Sequence, residues 1–112
     1  MKKQTIGLTE KVVVRGKDKG FRVRARIDTG ARYNSINEAL AEKLGMIPHH
    51  QEFHIRAASG IQKRRSAHAT LIIHKRKIRA LFTIADRRHM RYQVLIGTRT
   101  LKGRFVIDPA KP

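Results

Sequence analysis

The most informative stretch of this chain is Phe21-Arg22-Val23-Arg24-Ala25-Arg26-Ile27-Asp28-Thr29-Gly30-Ala31. Apolar and basic residues alternate from Phe21 to Ile27, which predicts a β-strand with one buried and one exposed face. The strand leads directly into Asp28. Thr29 supplies a hydroxyl that can fix the following loop, and Gly30 permits a tight turn. The pattern therefore predicts a carboxylate held rigidly at the end of a buried strand.

Short strands are also predicted on both sides of this stretch. Upstream, residues 5–15 are centred on Val12-Val13-Val14, and the turn 16–20 connects them to Phe21. The downstream strands are predicted at 51–57, 61–65, 67–74, 78–85, 92–96 and 104–107, with hairpin tips at Ala58-Ser59-Gly60 and Lys75-Arg76-Lys77 and a short turn or helix at 98–102. Many short strands at close spacing favour an all-β fold, a small closed barrel.

One clear helix is predicted after the Asp28 loop. Ser35-Ile36-Asn37-Glu38 has capping-box spacing, with Ser35 as the N-cap and Glu38 at position N3. Ile36, Ala39, Leu40 and Leu44 form one apolar stripe, and Gly45 is placed to end the helix. The predicted barrel therefore carries one short helix.

Length and composition bound the class of protein. The 112 residues favour a single domain spanning 1–112, and the 40% hydrophobic content suffices for a packed core. The chain has no cysteine, which excludes a disulfide framework and a thiolate zinc site. No apolar stretch is long enough for a signal peptide or a membrane span, so we expect a cytoplasmic protein without membrane association.

The charge is the unusual feature of the composition. Twenty-six Lys and Arg against eight Asp and Glu give a net charge of +18. Such a protein attracts polyanions, and nucleic acid, ribosomes and acidic polypeptides are all eligible partners. The basic clusters are Lys63-Arg64-Arg65, Lys75-Arg76-Lys77, Arg87-Arg88 and, on one strand face, Arg22, Arg24 and Arg26. Each of the first three clusters alone is explained by a solvated turn, whereas together with the arginines of the strand face they exceed what solubility requires.

The Asp28 loop has a catalytic interpretation and an ordinary one. Two such carboxylates brought together share a proton, so that the pair can deprotonate a water molecule and protonate a scissile carbonyl. The chain has one such loop, so this chemistry requires two chains. On the tetrapeptide alone, an Asp-Thr-Gly turn that merely caps a strand is the commoner case.

A wider resemblance favours the catalytic interpretation. Residues 27–36 and 40–46 resemble the active-site loop and following helix of retropepsin-like aspartic peptidases, and Val94-Leu95-Ile96-Gly97 resembles the segment that closes the second half of such a subunit. Ile6-Gly7-Leu8, residues 85–90 and residues 97–109 resemble a narrower prokaryotic family, known as ATP-dependent zinc proteases. Some members of that family accompany ATP-grasp ligases that add glutamates to a ribosomal protein. The active-site loop departs from the family pattern at Tyr33 and Asn34, where small hydroxyl residues are usual.

The resemblance implies a fold and a set of roles. It implies a retropepsin-like homodimer in which Asp28 is the catalytic carboxylate and Thr29 locks the two loops across the dimer axis. Gly30 and Ala31 would line the substrate cleft, and Ala58-Ser59-Gly60 would occupy the position of the flap. The terminal segments would join an intersubunit sheet. Arg32, four residues after Asp28, would bind an acidic substrate, such as a glutamate-rich tail.

Neither zinc nor ATP is expected as a cofactor. No His-Glu-x-x-His motif or finger spacing is present, and the six histidines of this basic protein are expected at the surface. His50 and His54 lie in sequence that alternates like a strand, where they would be about 13 Å apart. No Gly-rich phosphate loop with its lysine occurs.

Two other functions remain open at this level. The charge favours a nucleic-acid or ribosome-binding module, although four Phe and two Tyr supply few stacking platforms. The other possibility is a retropepsin fold that binds or dimerises without activity.

Overall fold

The strand that leads to Asp28 lies in a closed six-stranded barrel. The structure, a computed structural model, describes residues 2–58 and 60–111, and of Ala57 its backbone only. The strands are β1 Gln4–Ile6, β2 Thr9–Arg15, β3 Gly20–Ile27, β4 Asn34–Asn37, β5 Phe53–Ala57, β6 Gly60–Arg64, β7 Ser66–Ile73, β8 Arg76–Ala85, β9 Val94–Ile96 and β10 Phe105–Ile107; the helices are α1 Glu38–Lys43 and α2 Thr98–Leu101. The barrel order is β2-β3-β9-β4-β8-β7. The predicted mostly-β closed barrel is therefore confirmed.

Alternation along the strands builds the core. In β7, Ala67, Ala69, Leu71 and Ile73 are buried, while the residues between them are exposed or half-buried. The second half of β3 does the same with Ala25 and Ile27 inward and its arginines outward. Because each strand contributes every second side chain, one continuous apolar interior forms without a long helix.

Two pairs of strands lie outside the barrel. β5 and β6 form an antiparallel hairpin whose tip contains Ala58 and Gly60, as predicted, while Ser59 lies outside the described residues. β1 and β10 pair in parallel within one chain. The predicted strand over residues 5–15 is wrong in extent, because it is two strands that separate at Gly7 and Leu8, where the Gly7 amide donates to the Glu10 carboxylate at 2.8 Å.

The predicted helix start is wrong. Ser35 and Ile36 lie in β4, which pairs with β8 on one side and β9 on the other, and the helix begins at Glu38 with Asn37 as its N-cap. Pairing on both edges satisfies the backbone of this segment, which the capping-box pattern cannot reveal. The turn between β7 and β8 is also shifted. It consists of His74 and Lys75, whereas Arg76 and Lys77 begin β8.

Candidate active site

Asp28 stands at the end of β3, where the backbone of the barrel holds it. Its amide donates to the Ile96 carbonyl at 2.9 Å, continuing the parallel pairing of β3 with β9. One carboxylate oxygen, Oδ1, accepts from the Gly30 amide at 2.9 Å, and the Ala31 amide donates to the Asp28 carbonyl at 3.2 Å. Asp28 is half-buried. The loop thus holds one carboxylate oxygen, and no other hydrogen bond to the carboxylate comes from residues 2–58 or 60–111.

The loop after Asp28 is clamped by the segment that follows β9. The Thr98 amide donates to the Ala31 carbonyl at 2.8 Å, and the Arg99 amide donates to the Arg32 carbonyl at 3.0 Å. A Cβ at Gly97 would lie 2.6 Å from the Tyr33 carbonyl oxygen and 2.8 Å from that of Ala31. Only glycine permits this approach, so the resemblance of Val94–Gly97 to a closing segment has a steric basis.

A buried asparagine fixes these segments from below. Asn34 Nδ2 donates to the Thr100 hydroxyl at 2.8 Å and to the Leu81 carbonyl at 3.0 Å. Its Oδ1 accepts from the Gly97 amide at 2.9 Å. The departure from the family pattern at Asn34 therefore lies beneath the loop, where it ties β4, β8 and α2 together. Sequence reasoning missed this role, because a polar residue after a turn is also typical of a solvated loop.

A cleft of about 450 Å³ separates the Asp28 loop from the β5–β6 hairpin. Gly30, Ala31 and Arg32 line it, whereas Thr29 lies at a neighbouring groove together with the same three residues. The hairpin contributes strand residues to the cleft, including Arg56. Ala58 and Gly60 at its tip are exposed and do not line the cleft in this single chain.

Arginine dominates the charge of the cleft. Four arginines line it: Arg32, Arg56, Arg64 and Arg87. No Asp or Glu among the described residues does so. The Ser35 hydroxyl lies at the floor, buried and without a hydrogen-bond partner among the described residues. A groove with these donors accepts anionic or carbonyl groups.

Arg87 is the functional candidate that the sequence did not single out. The sequence predicts Arg87 in a solvated turn, but the residue is only 9% exposed. Its amide donates to Asn37 Oδ1, and its Nε donates to the Tyr92 carbonyl. Burial lowers the pKa of the Arg87 guanidinium, as does the charge of Arg64, while the nearby Asp28 carboxylate acts in the opposite direction. Arg87 therefore brings a desolvated cation into the field of Asp28. A basic dipeptide in a predicted turn does not indicate that Arg87 is buried and lies in the field of Asp28.

Comparison with known proteins identifies the family. Residues 14–103 match the family described as gag-polyprotein putative aspartyl protease. The chain belongs to this family. The chain has no match among curated protein sequences. The aspartyl protease family is thus assigned from a match that includes the Asp28 loop, the cleft residues and Gly97.

Solved structures share the fold at low sequence identity. The protein Lpg0085 from Legionella pneumophila subsp. pneumophila str. Philadelphia 1, of unknown function, has a TM-score of 0.68 and 16% identity, with 96% of this chain and 94% of that one covered. The EIAV protease in complex with the inhibitor HBY-793 has a TM-score of 0.61 and 20% identity, with 84% of each chain covered. The simian foamy virus (mac) protease has a TM-score of 0.57 and 20% identity, with 80% and 86% covered. The barrel of this aspartyl protease family member is therefore retropepsin-like.

Two further observations concern metals and membranes. Within the described residues no group of three or more His, Cys, Asp or Glu side chains is arranged to hold a metal ion. One pair of histidines is in contact, with His49 Nε2 2.7 Å from His68 Nδ1. Among the same residues, no helix has the length and apolar character needed to cross a bilayer.

Proposed function

We propose that the protein is an aspartic endopeptidase that acts as a homodimer, with one Asp28 from each chain. The observation that carries the proposal is the mounting of Asp28: a half-buried carboxylate at the end of β3, with one oxygen held by the Gly30 amide at 2.9 Å. The gag-polyprotein aspartyl protease match over this loop supports it.

The reaction uses the two carboxylates without a covalent intermediate. Two Asp28 side chains at a dimer axis share one proton, because two adjacent negative charges repel each other. The ionised carboxylate takes a proton from water while the water oxygen attacks the scissile carbonyl carbon, and the protonated carboxylate donates to the carbonyl oxygen. The C–N bond of the resulting tetrahedral intermediate then breaks, and the proton taken from water passes to the leaving amine nitrogen. Thr29 is assigned to the contact between the two loops, and Gly30 and Ala31 to the peptide backbone. Ala58, Ser59 and Gly60 are assigned to a flap that closes over the peptide.

The proposed substrate is acidic. Arg32, Arg56, Arg64 and Arg87 line the cleft, and a glutamate side chain would find a charge-assisted partner on several sides. The narrower resemblance to prokaryotic ATP-dependent zinc proteases agrees with a glutamate-rich tail and with a ribosome or an ATP-grasp ligase nearby. We assign neither zinc nor ATP to the reaction.

The decisive experiment compares Asp28→Asn with Asp18→Asn. Asp18 lies in the exposed turn between β2 and β3, so its variant makes the same chemical change away from the cleft. Both proteins and the wild type are incubated with poly-glutamate and a mixed peptide library from about pH 4 to 7. We expect Asp28→Asn to lose at least about 10²-fold in kcat/KM, as for other lost acid–base groups, and Asp18→Asn to match the wild type.

The outcomes separate the remaining functions. Equal cleavage by all three proteins would exclude Asp28 as the catalytic group. A stable dimer that cleaves no peptide would indicate a binding module with a retropepsin fold. Salt-dependent binding of RNA, unchanged in Asp28→Asn and without cleavage, would favour the nucleic-acid or ribosome-binding alternative.

A further inference from the structure

A second groove, of about 460 Å³, lies on the outside of the barrel. We call it the basic groove. It is lined by Arg15 and the turn that follows, by residues 45–50 after α1, by residues 68–70 of β7 and by Arg79 of β8. Among the described residues, none lines both this groove and the cleft beside Asp28. The basic groove is therefore a separate surface of the molecule.

The floor of the basic groove is a row of three side chains in register. Arg15 of β2 pairs with Thr70 of β7, and Thr70 pairs with Arg79 of β8. Directly opposed residues on neighbouring strands point to the same face, about 5 Å apart at Cβ. The row thus presents two guanidinium groups on either side of one hydroxyl. All three side chains project outward, because their strand neighbours Val14, Ala69 and Ala80 point into the core.

The rim adds further nitrogen donors. Lys17 comes from the β2–β3 turn, and His49 and His50 from the segment after α1. The His49 amide donates to the Ser66 carbonyl at 2.7 Å, which holds this segment against β7. The His49 Nε2 and His68 Nδ1 atoms are 2.7 Å apart, so the two imidazoles meet at the edge of the groove.

These cations have no internal counter-charge. Within residues 2–58 and 60–111, Arg15, Lys17 and Arg79 donate no side-chain hydrogen bond and form no ion pair, and no Asp or Glu lines the groove. The pKa of His68 is lowered by burial, by the charge of His49 and by that of Arg79. The groups therefore repel one another, and an anion with several charges relieves this repulsion.

We propose that the basic groove is a binding site for a phosphate-containing anion that carries two or more negative charges in total, independent of the peptidase site. Arginine forks match the oxygen geometry of phosphate, the Thr70 hydroxyl supplies a neutral donor between them, and the imidazoles lie at the edge of the groove. A single carboxylate would neutralise one cation and leave the others unpaired. A polyphosphate chain and the backbone of an RNA both offer the required chemistry.

The test compares two double variants with the same change in net charge. Arg15→Gln/Arg79→Gln removes both ends of the row, and Lys3→Gln/Lys11→Gln removes two exposed lysines outside the groove. Binding of inorganic tripolyphosphate and of a short single-stranded RNA is measured by calorimetry at about 150 mM salt. Peptide cleavage without phosphate is measured in parallel, and circular dichroism checks that each variant is folded.

We expect the wild type to bind one tripolyphosphate per chain, and the groove variant to bind it at least tenfold more weakly while the lysine variant stays within twofold. The His68 ring resonances should shift on binding in the wild type and in the lysine variant, but not in the groove variant. RNA that competes with tripolyphosphate for this site identifies a nucleic-acid backbone as the source of the phosphate, and RNA that does not compete identifies a polyphosphate. Equal weakening in the two double variants would overturn the proposal, because it indicates a diffuse field. We expect the groove variant to cleave peptide as the wild type does. Loss of phosphate binding and loss of peptidase activity can therefore be told apart.

Discussion

Gly97 joins the two halves of the candidate active site at the scale of a single residue. Its φ of −98° is ordinary for any amino acid, so the need for glycine is steric. We expect Gly97→Ala to lower the free energy of unfolding by about 3 kcal/mol, since its methyl group would meet two backbone carbonyls that cannot turn aside. Urea unfolding measures the change, and any peptide cleavage should fall with it.

Gly103→Ala is the matched control. Gly103 has a φ of +79° and its added Cβ would meet nothing within 4 Å, so the cost is conformational alone, about 1 kcal/mol. If both variants lost the same free energy of unfolding, close packing around Gly97 would not explain why this position requires glycine.

The Glu10 carboxyl group makes the stability of the fold depend on pH. Burial raises its pKa, but the Gly7 amide and His74 outweigh that effect, so the pKa lies below its ordinary value of 4.5. A carboxyl with a lowered pKa in the folded state stabilises the fold above pH 4.5, and this contribution is lost as the pH falls through the folded value. We therefore expect Glu10→Gln to destabilise the protein at pH 6 and to have a smaller effect at pH 3, in urea titrations at both pH values. Glu38→Gln, on the exposed side of α1, is the control; a Glu10→Gln effect independent of pH would contradict the assignment.

At the scale of elements, the β7–β8 hairpin turns on two residues with positive φ. His74 has a φ of 48° and Lys75 of 68°, which is the conformation of a type I′ turn. Glycine is preferred there, so we expect Lys75→Gly to stabilise the protein by about 0.5–1 kcal/mol in thermal unfolding. Lys77→Gly makes the same substitution two residues later, within β8, and should cost about 0.5–1 kcal/mol. Destabilisation by both would show that the Lys75 side chain itself supports the turn.

Local pattern predicts those elements whose burial alternates along the chain. β7 and β8 bury every second residue over most of their length, and β3 does so in its second half, so residue types alone locate them. β4 buries all four of its residues, including Asn34, Ser35 and Asn37, because it is paired on both edges and covered on both faces. Polar residues of that kind suggest a helix cap or a loop, and only the tertiary pairing makes them a strand.

The candidate site divides in the same way. Asp28, Gly30 and Ala31 are recognisable because their types are set by a local turn. Arg87 and Asn34 act through contacts with residues distant in sequence, such as Asn34 with Thr100 at 2.8 Å. No local pattern encodes such a contact, so sequence reasoning finds the loop and misses what surrounds it.

At the scale of the whole molecule, the positive charge is directed outward. Among the described residues only two ion pairs form, His74 with Glu10 and Arg88 with Asp86, against an excess of 18 cationic side chains. The charge is therefore available to partners, and it is concentrated both at the cleft and at the basic groove. Repulsion between like charges also opposes the association of two such chains, so any dimer has to bury enough apolar and backbone contact to exceed it.

The homodimer is the assembly on which the proposed chemistry depends, and mixing tests it directly. If each site needs Asp28 from both chains, an Asp28→Asn subunit inactivates every dimer it enters. Wild type and Asp28→Asn, equilibrated at equal amounts and fixed total concentration, should retain about a quarter of the wild-type activity, because that is the fraction of dimers with two wild-type subunits in random pairing. The matched Asp18→Asn mixture should retain full activity. A remaining activity of about half, proportional to the wild-type share, would mean that each chain works alone and that Asp28 needs no partner carboxylate.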